Sequence, residues 1–140
     1  MDHGHSRGRV LAKVKFVESY TAEVLAAREA LKETNDCTVV SLAVVTGKDY
    51  RHARAIMAAG GRLHRKGRWM HKAAAIVGMD MVRGLDGEAT PTLAEFSAAH
   101  PRGSYWVEVK GHALAVVDGV IYDHSHKPRR RVLRAWRVPS

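Results

Sequence analysis

Residues Gly111-His112-Ala113-Leu114-Ala115-Val116-Val117-Asp118-Gly119-Val120-Ile121-Tyr122-Asp123 read as a strand, a two-residue turn and a second strand. The Asp-Gly pair is a hairpin signal, because the tight turn that matches the twist of paired strands needs positive φ at both central positions. The same period of two begins upstream at Ser104, where Tyr105, Val107 and Val109 alternate with Trp106, Glu108 and Lys110. Trp69, Trp106 and Trp136 could line a substrate groove, although core or half-buried packing is commoner; of the three, Trp106 is the best surface candidate, since those three apolar residues take the other side of its strand. A last strand is expected near 131–138.

Upstream of residue 100 the period changes. Residues 19–33 are Ala-rich, with Val24, Leu25, Ala27 and Leu31 available for one helix face. Residues 37–45, Cys-Thr-Val-Val-Ser-Leu-Ala-Val-Val, are apolar nearly all round, which fits a buried central helix. A strand is the alternative, given the β-branched residues. The Asn35-Asp36 cap before the run and Thr46-Gly47 after it favour the helix. Residues 49–59 and 70–77 are two more helix candidates, 62–68 a basic loop and 78–89 irregular. Thr92-Leu93-Ala94-Glu95 has the spacing of a capping box, which starts a helix ending near Ala99. The expected fold is α+β: N-terminal helices packed on a C-terminal antiparallel sheet.

The chain has 140 residues, enough for one domain with a single core. Residues 1–18 read as a basic N-terminal arm and 19–140 as the domain. No apolar run approaches the roughly 18 residues of a membrane-spanning helix. The polar, basic N-terminus lacks the apolar core of a secretory signal, and no membrane partner is expected. The formal charge is +9, concentrated in Arg7–Lys15, Arg62–Lys72 and Lys127–Arg137. Such a balance draws acidic partners, and nucleic acid is a candidate partner through Arg129, Arg130 and Arg131. A plain solvated surface is the more common origin of such a balance. Gly-rich phosphate loops and zinc-finger spacing are not seen, and no cofactor is expected.

Cys37 is the only cysteine, so it has no intramolecular disulfide partner. A buried cysteine at a helix start is often an inert small hydrophobe. Two features point to chemistry instead. The first helical turn carries unpaired amides and the positive end of the dipole, which favour a thiolate, and a histidine in contact would complete an ion pair. In a hairpin about Asp118-Gly119, residue 117 faces 120 and 114 faces 123. His112 and Asp123 are then diagonal neighbours on one face, roughly 7–8 Å apart at the backbone and within side-chain reach. The acid would hold the ring tautomer and stabilise the imidazolium. Asp118 is chiefly a turn residue. Asn35, or the backbone amide of Cys37, is the candidate oxyanion donor. His124 and His126 could join Cys37 and His112 on zinc, although Pro128 soon ends any strand that would align them, and no metal site is assigned.

Asn35-Asp36-Cys37-Thr38-Val39-Val40 with Thr46-Gly47-Lys48-Asp49-Tyr50, and the hairpin Gly111–Asp123, resemble the nucleophile and histidine–acid segments of small papain-like cysteine peptidases of tailed bacteriophages and related prokaryotic elements. Bacteriocin-processing peptidases are similar more loosely. The resemblance covers roughly residues 35–138. It implies a papain-like fold, with Cys37 as nucleophile, His112 as general base and acid, and Asp123 as orienting acid. It also implies a peptide or protein substrate, phage structural proteins as partners, and a place in the host cytoplasm or the virion. Papain-like enzymes usually carry an oxyanion glutamine shortly before the cysteine; this chain has no glutamine at all, which leaves Asn35 as the nearby side-chain amide. Two other functions compete with the peptidase: an idle papain-like shell serving as a virion or interaction protein, and a basic nucleic-acid binder.

Overall fold

The computed structural model describes residues 14–67, 69–83 and 90–139. Five helices occur among them: α1 Ala22–Leu31, α2 Cys37–Thr46, α3 Tyr50–Ala59, α4 Met70–Val77 and α5 Leu93–Ala99. The strands are β1 Phe16–Val17, β2 Asp80–Arg83, β3 Ser104–Val109, β4 His112–Val117, β5 Val120–Tyr122 and β6 Arg134–Arg137. They form one sheet in the order β1-β5-β4-β3-β6-β2.

Local chemistry sets the helix ends. Thr21 Oγ1 accepts from the Val24 amide, and Asp49 Oδ1 accepts from the His52 amide, each satisfying a donor that the first turn leaves unpaired. Both halves of the Thr92/Glu95 capping box are formed. α2 ends at Gly47 with φ 69°. Seven of its ten residues are buried, so the all-round apolar run is indeed the central helix.

The fold is α+β, and the sheet is mixed where an antiparallel one was expected. β1 pairs with β5 in parallel, Phe16 opposite Ile121 and Val17 opposite Tyr122. The other pairings are antiparallel. β1 comes from the stretch read as an N-terminal arm, whose residues 1–13 lie outside the described residues. β2 comes from the stretch read as irregular and adds to β6, Asp80 opposite Arg137. Both are held by partners distant in sequence, so neither has a local signature. The hairpin behaves as its turn residues dictate: Asp118 and Gly119 both have positive φ, and Val117 faces Val120.

Both faces of the sheet are covered. On one side Val39, Leu42, Ala53, Met57 and Ala73 from α2–α4 pack with Trp106, Ala113, Ala115 and Trp136. On the other, Leu93 and Phe96 pack with Tyr105, Val107, Leu114, Val116 and Ile121. Trp106, the best surface candidate of the three tryptophans, is 0% exposed and takes the commoner core role: the helical layer takes the side of β3 that alternation alone reads as outer. α3 and α4 approach closely at Gly60, where a Cβ would stand 3.0 Å from the Ala73 nitrogen.

Candidate active site

Cys37 opens α2, and a short irregular turn delivers it. Lys32 and Asn35 both adopt positive φ, 53° and 49°, which folds residues 32–36 tightly between α1 and α2. Two buried acids hold this turn. Asp36, 1% exposed, accepts from Arg28 Nε at 2.8 Å and from the Tyr50 hydroxyl at 2.7 Å, both on Oδ2. It makes no side-chain cap to α2. The capping role expected of Asp36 is thus replaced by an anchoring one, because its carboxylate turns inward to a cation and a phenol. Burial, and next the bond to Asp36, pushes the Tyr50 hydroxyl far above its usual range.

Glu33 is the second anchor. Its carboxylate accepts from Arg54 Nε at 2.6 Å, from both terminal nitrogens of Arg62 at 2.9 and 3.0 Å, and from the Arg65 amide at 3.0 Å. Burial alone would raise its pKa, but the bonds from Arg62, Arg54 and the Arg65 amide outweigh this and hold it at about 2. Arg62 also donates to the carbonyls of Thr34 and Asn35. This network fixes the loop 62–67 against the turn that carries the cysteine.

His112 is the first residue of β4. Its Nε2 lies 2.6 Å from Asp123 Oδ1, with the histidine side chain 18% exposed and the acid 1%. The ring also stands beside the Cys37 side chain, close enough for the sulfur to act on its protonation, and both line one cleft. With Nε2 engaged by the acid, Nδ1 is the nitrogen left to face sulfur. Burial by itself would lower the His112 pKa. The bond to Asp123, then the neighbouring Cys37 and the charges of both, overcome it and raise the value to about 9.

Asp123 is held through its backbone. Its amide donates to the Val17 carbonyl at 3.0 Å, just as Ile121 donates to the Lys15 carbonyl. The short strand β1 is thus what positions the acid. Oδ1 also accepts from the His124 amide at 2.8 Å.

Cys37 and His112 line one cleft of about 730 Å³. Asn35, Gly67 and Trp69 stand on its helical wall, and Glu108, Gly111 and Arg134 on its sheet wall. The Asn35 side chain donates to the Arg65 carbonyl at 3.1 Å, so the amide considered for the oxyanion also ties the turn to the loop. His124 and His126 do not approach the cysteine: His124 Nδ1 is 3.1 Å from both Glu18 oxygens, and His126 stacks on Phe16. Among the described residues, no three or more His, Cys, Asp or Glu side chains are grouped to hold a metal ion. The basic tail is partly employed in the fold. Arg131 donates to the Thr90 carbonyl and Arg134 pairs with Glu108. No described helix is long and apolar enough to cross a membrane.

The chain matches no family model, no curated protein and no solved structure.

Sequence reasoning missed the residues that support the three. Ser41 carried a readable signal, a hydroxyl four residues after the cysteine in an otherwise apolar helix; its Oγ donates to the Cys37 carbonyl at 2.6 Å. Glu33, Arg62 and Arg28 carried none, because their partners are set by tertiary packing.

Proposed function

We propose that this protein is a papain-like thiol hydrolase that cleaves amide bonds, most simply a peptidase. The observation that supports it is the juxtaposition of Cys37 with a His112 ring bonded to Asp123, opening on a cleft large enough for an extended peptide. The sulfur of Cys37 attacks the amide carbon and the carbonyl electrons move to oxygen. The imidazolium of His112 then gives its proton to the leaving nitrogen as the C–N bond breaks. A water, deprotonated by His112, attacks the thioester and returns the free thiolate. Asp123 keeps the proton on Nε2 and Nδ1 toward sulfur, and it stabilises the charged ring between steps. The unpaired backbone amides of the first turn of α2, aided by the helix dipole, serve the developing oxyanion in this reading. By the motif resemblance its setting is the host cell or the virion.

The test joins labelling to turnover. Iodoacetamide should modify Cys37 in the folded protein, and a fluorogenic peptide mixture should be cleaved. His112→Ala should slow both reactions and Cys37→Ala should abolish both. A thiol that reacts only in denaturant ends the proposal.

A second reading, an idle shell used for interaction, draws on Asn35. One N–H of its side-chain amide is taken by the Arg65 carbonyl, which ties the oxyanion candidate to a structural role. Fast alkylation of Cys37 without turnover of any peptide would favour it.

A further inference from the structure

Among the described residues the cleft is lined by more cationic than anionic side chains; Arg134 and His112 each face a carboxylate, and Lys66 does not. Arg62 belongs to the fold, buried against Glu33. Lys66, four residues on in the same loop, is exposed and lines the cleft. Among the described residues no acidic side chain pairs with it. His71 stands exposed on the same wall in the first turn of α4. Glu108 is the one carboxylate among the described lining residues. It already faces a cation: Arg134, its register partner on β6, sits 3.3 Å away with its side chain 36% exposed. His112 adds positive charge beside the sulfur up to about pH 9. A cleft lined by one sign of charge raises the local concentration of the opposite sign.

We infer that the cleft selects polypeptide segments bearing an acidic side chain beside the scissile amide, with Lys66 and Arg134 as the residues that read the charge. This rests on the thiol-hydrolase reading above and names its substrate class. Trp69 supplies an apolar wall next to these cations, which suits a chain of mixed acidic and apolar residues better than a uniformly charged polymer.

Two alkylating agents of like reactivity test the charge without requiring turnover. Anionic iodoacetate and neutral iodoacetamide are compared at Cys37, their rate ratio normalised to a free thiol in solution. The ratio should favour the anion by roughly threefold to tenfold at low salt and fall as salt is added. Lys66→Gln and Arg134→Gln should each reduce it, and Glu108→Gln should increase it. Lys48→Gln, beyond the opposite end of α2, should leave it in place. Matched peptides with Glu, Gln or Lys beside the cleaved bond should then rank in that order of kcat/KM. A ratio indifferent to Lys66 and Arg134, or a preference for the Lys peptide, overturns the inference while leaving a reactive Cys37 intact. Protection of Cys37 by a short oligonucleotide in preference to the acidic peptide overturns it in favour of nucleic acid. Failure of Cys37 to react with either agent in the folded protein defeats the thiol-hydrolase reading itself.

Discussion

Trp106, in the middle of β3, donates its indole Nε1 to Ser41 Oγ at 2.7 Å, and that hydroxyl in turn donates to the carbonyl of Cys37 at 2.6 Å. The centre of the sheet is thereby bonded to the residue that opens the central helix. Trp106 and Ser41 are both buried, so water does not readily take the place of the bond between them.

Ser41→Ala should therefore destabilise the protein by about 1–3 kcal/mol, the cost of leaving a buried donor unsatisfied. Urea denaturation should show a lower midpoint with an unchanged slope. Equal stability of the variant and the parent would mean that the indole finds another acceptor.

Replacements at Asp123 separate its charge from its hydrogen bond. Asp123→Ala removes both and should lower kcat/KM on the order of 10³- to 10⁴-fold, as loss of an orienting acid does elsewhere. Asp123→Asn keeps an acceptor oxygen and loses the charge. The His112 pKa should then drop from about 9 toward its ordinary 6.5. The alkaline limb of the pH–rate profile should move to lower pH with it. An alkaline limb that stays in place in Asp123→Asn would show that the carboxylate charge does not hold the imidazolium.

Stability should decline on both sides of a central pH plateau. For His112, the folded pKa is raised from 6.5 to about 9, so its contribution is complete below 6.5 and is lost as pH climbs through 9. Glu33 has its folded pKa lowered from 4.5 to about 2, so its contribution is complete above 4.5 and is lost as pH falls through 2. Glu33→Gln should flatten the acid side of the profile. It should also cost about 3–5 kcal/mol at neutral pH, because Arg62 would be left buried without its carboxylate. Thermal melts at one-unit pH steps, with and without this change, measure both effects.

The helices and the hairpin were legible because their determinants are local. The capping box at Thr92, the Gly47 stop and the Asp118-Gly119 turn each act within a few residues. The diagonal placement of His112 and Asp123 followed from strand parity once the turn was assigned. What was not legible depends on remote partners. Phe16–Val17 has strand character only because β5 lies beside it. The burial of Trp106 needs a helical layer on the side that alternation reads as solvent. Asp36 looked like a cap because aspartate before a helix commonly is one, and nothing in sequence announces that Arg28 and Tyr50 will claim its carboxylate.

β1 is two residues long and stands at the rim of the sheet, yet it holds the backbone of Asp123. Rim pairings open more readily than central ones. The relay thus hangs on the part of the molecule that frays first. Amide exchange at Ile121 and Asp123 should outrun exchange at Val107 and Leu114 by orders of magnitude. Chemistry would then fade on warming several degrees before the helices melt, as an early loss of proton handling rather than a loss of shape.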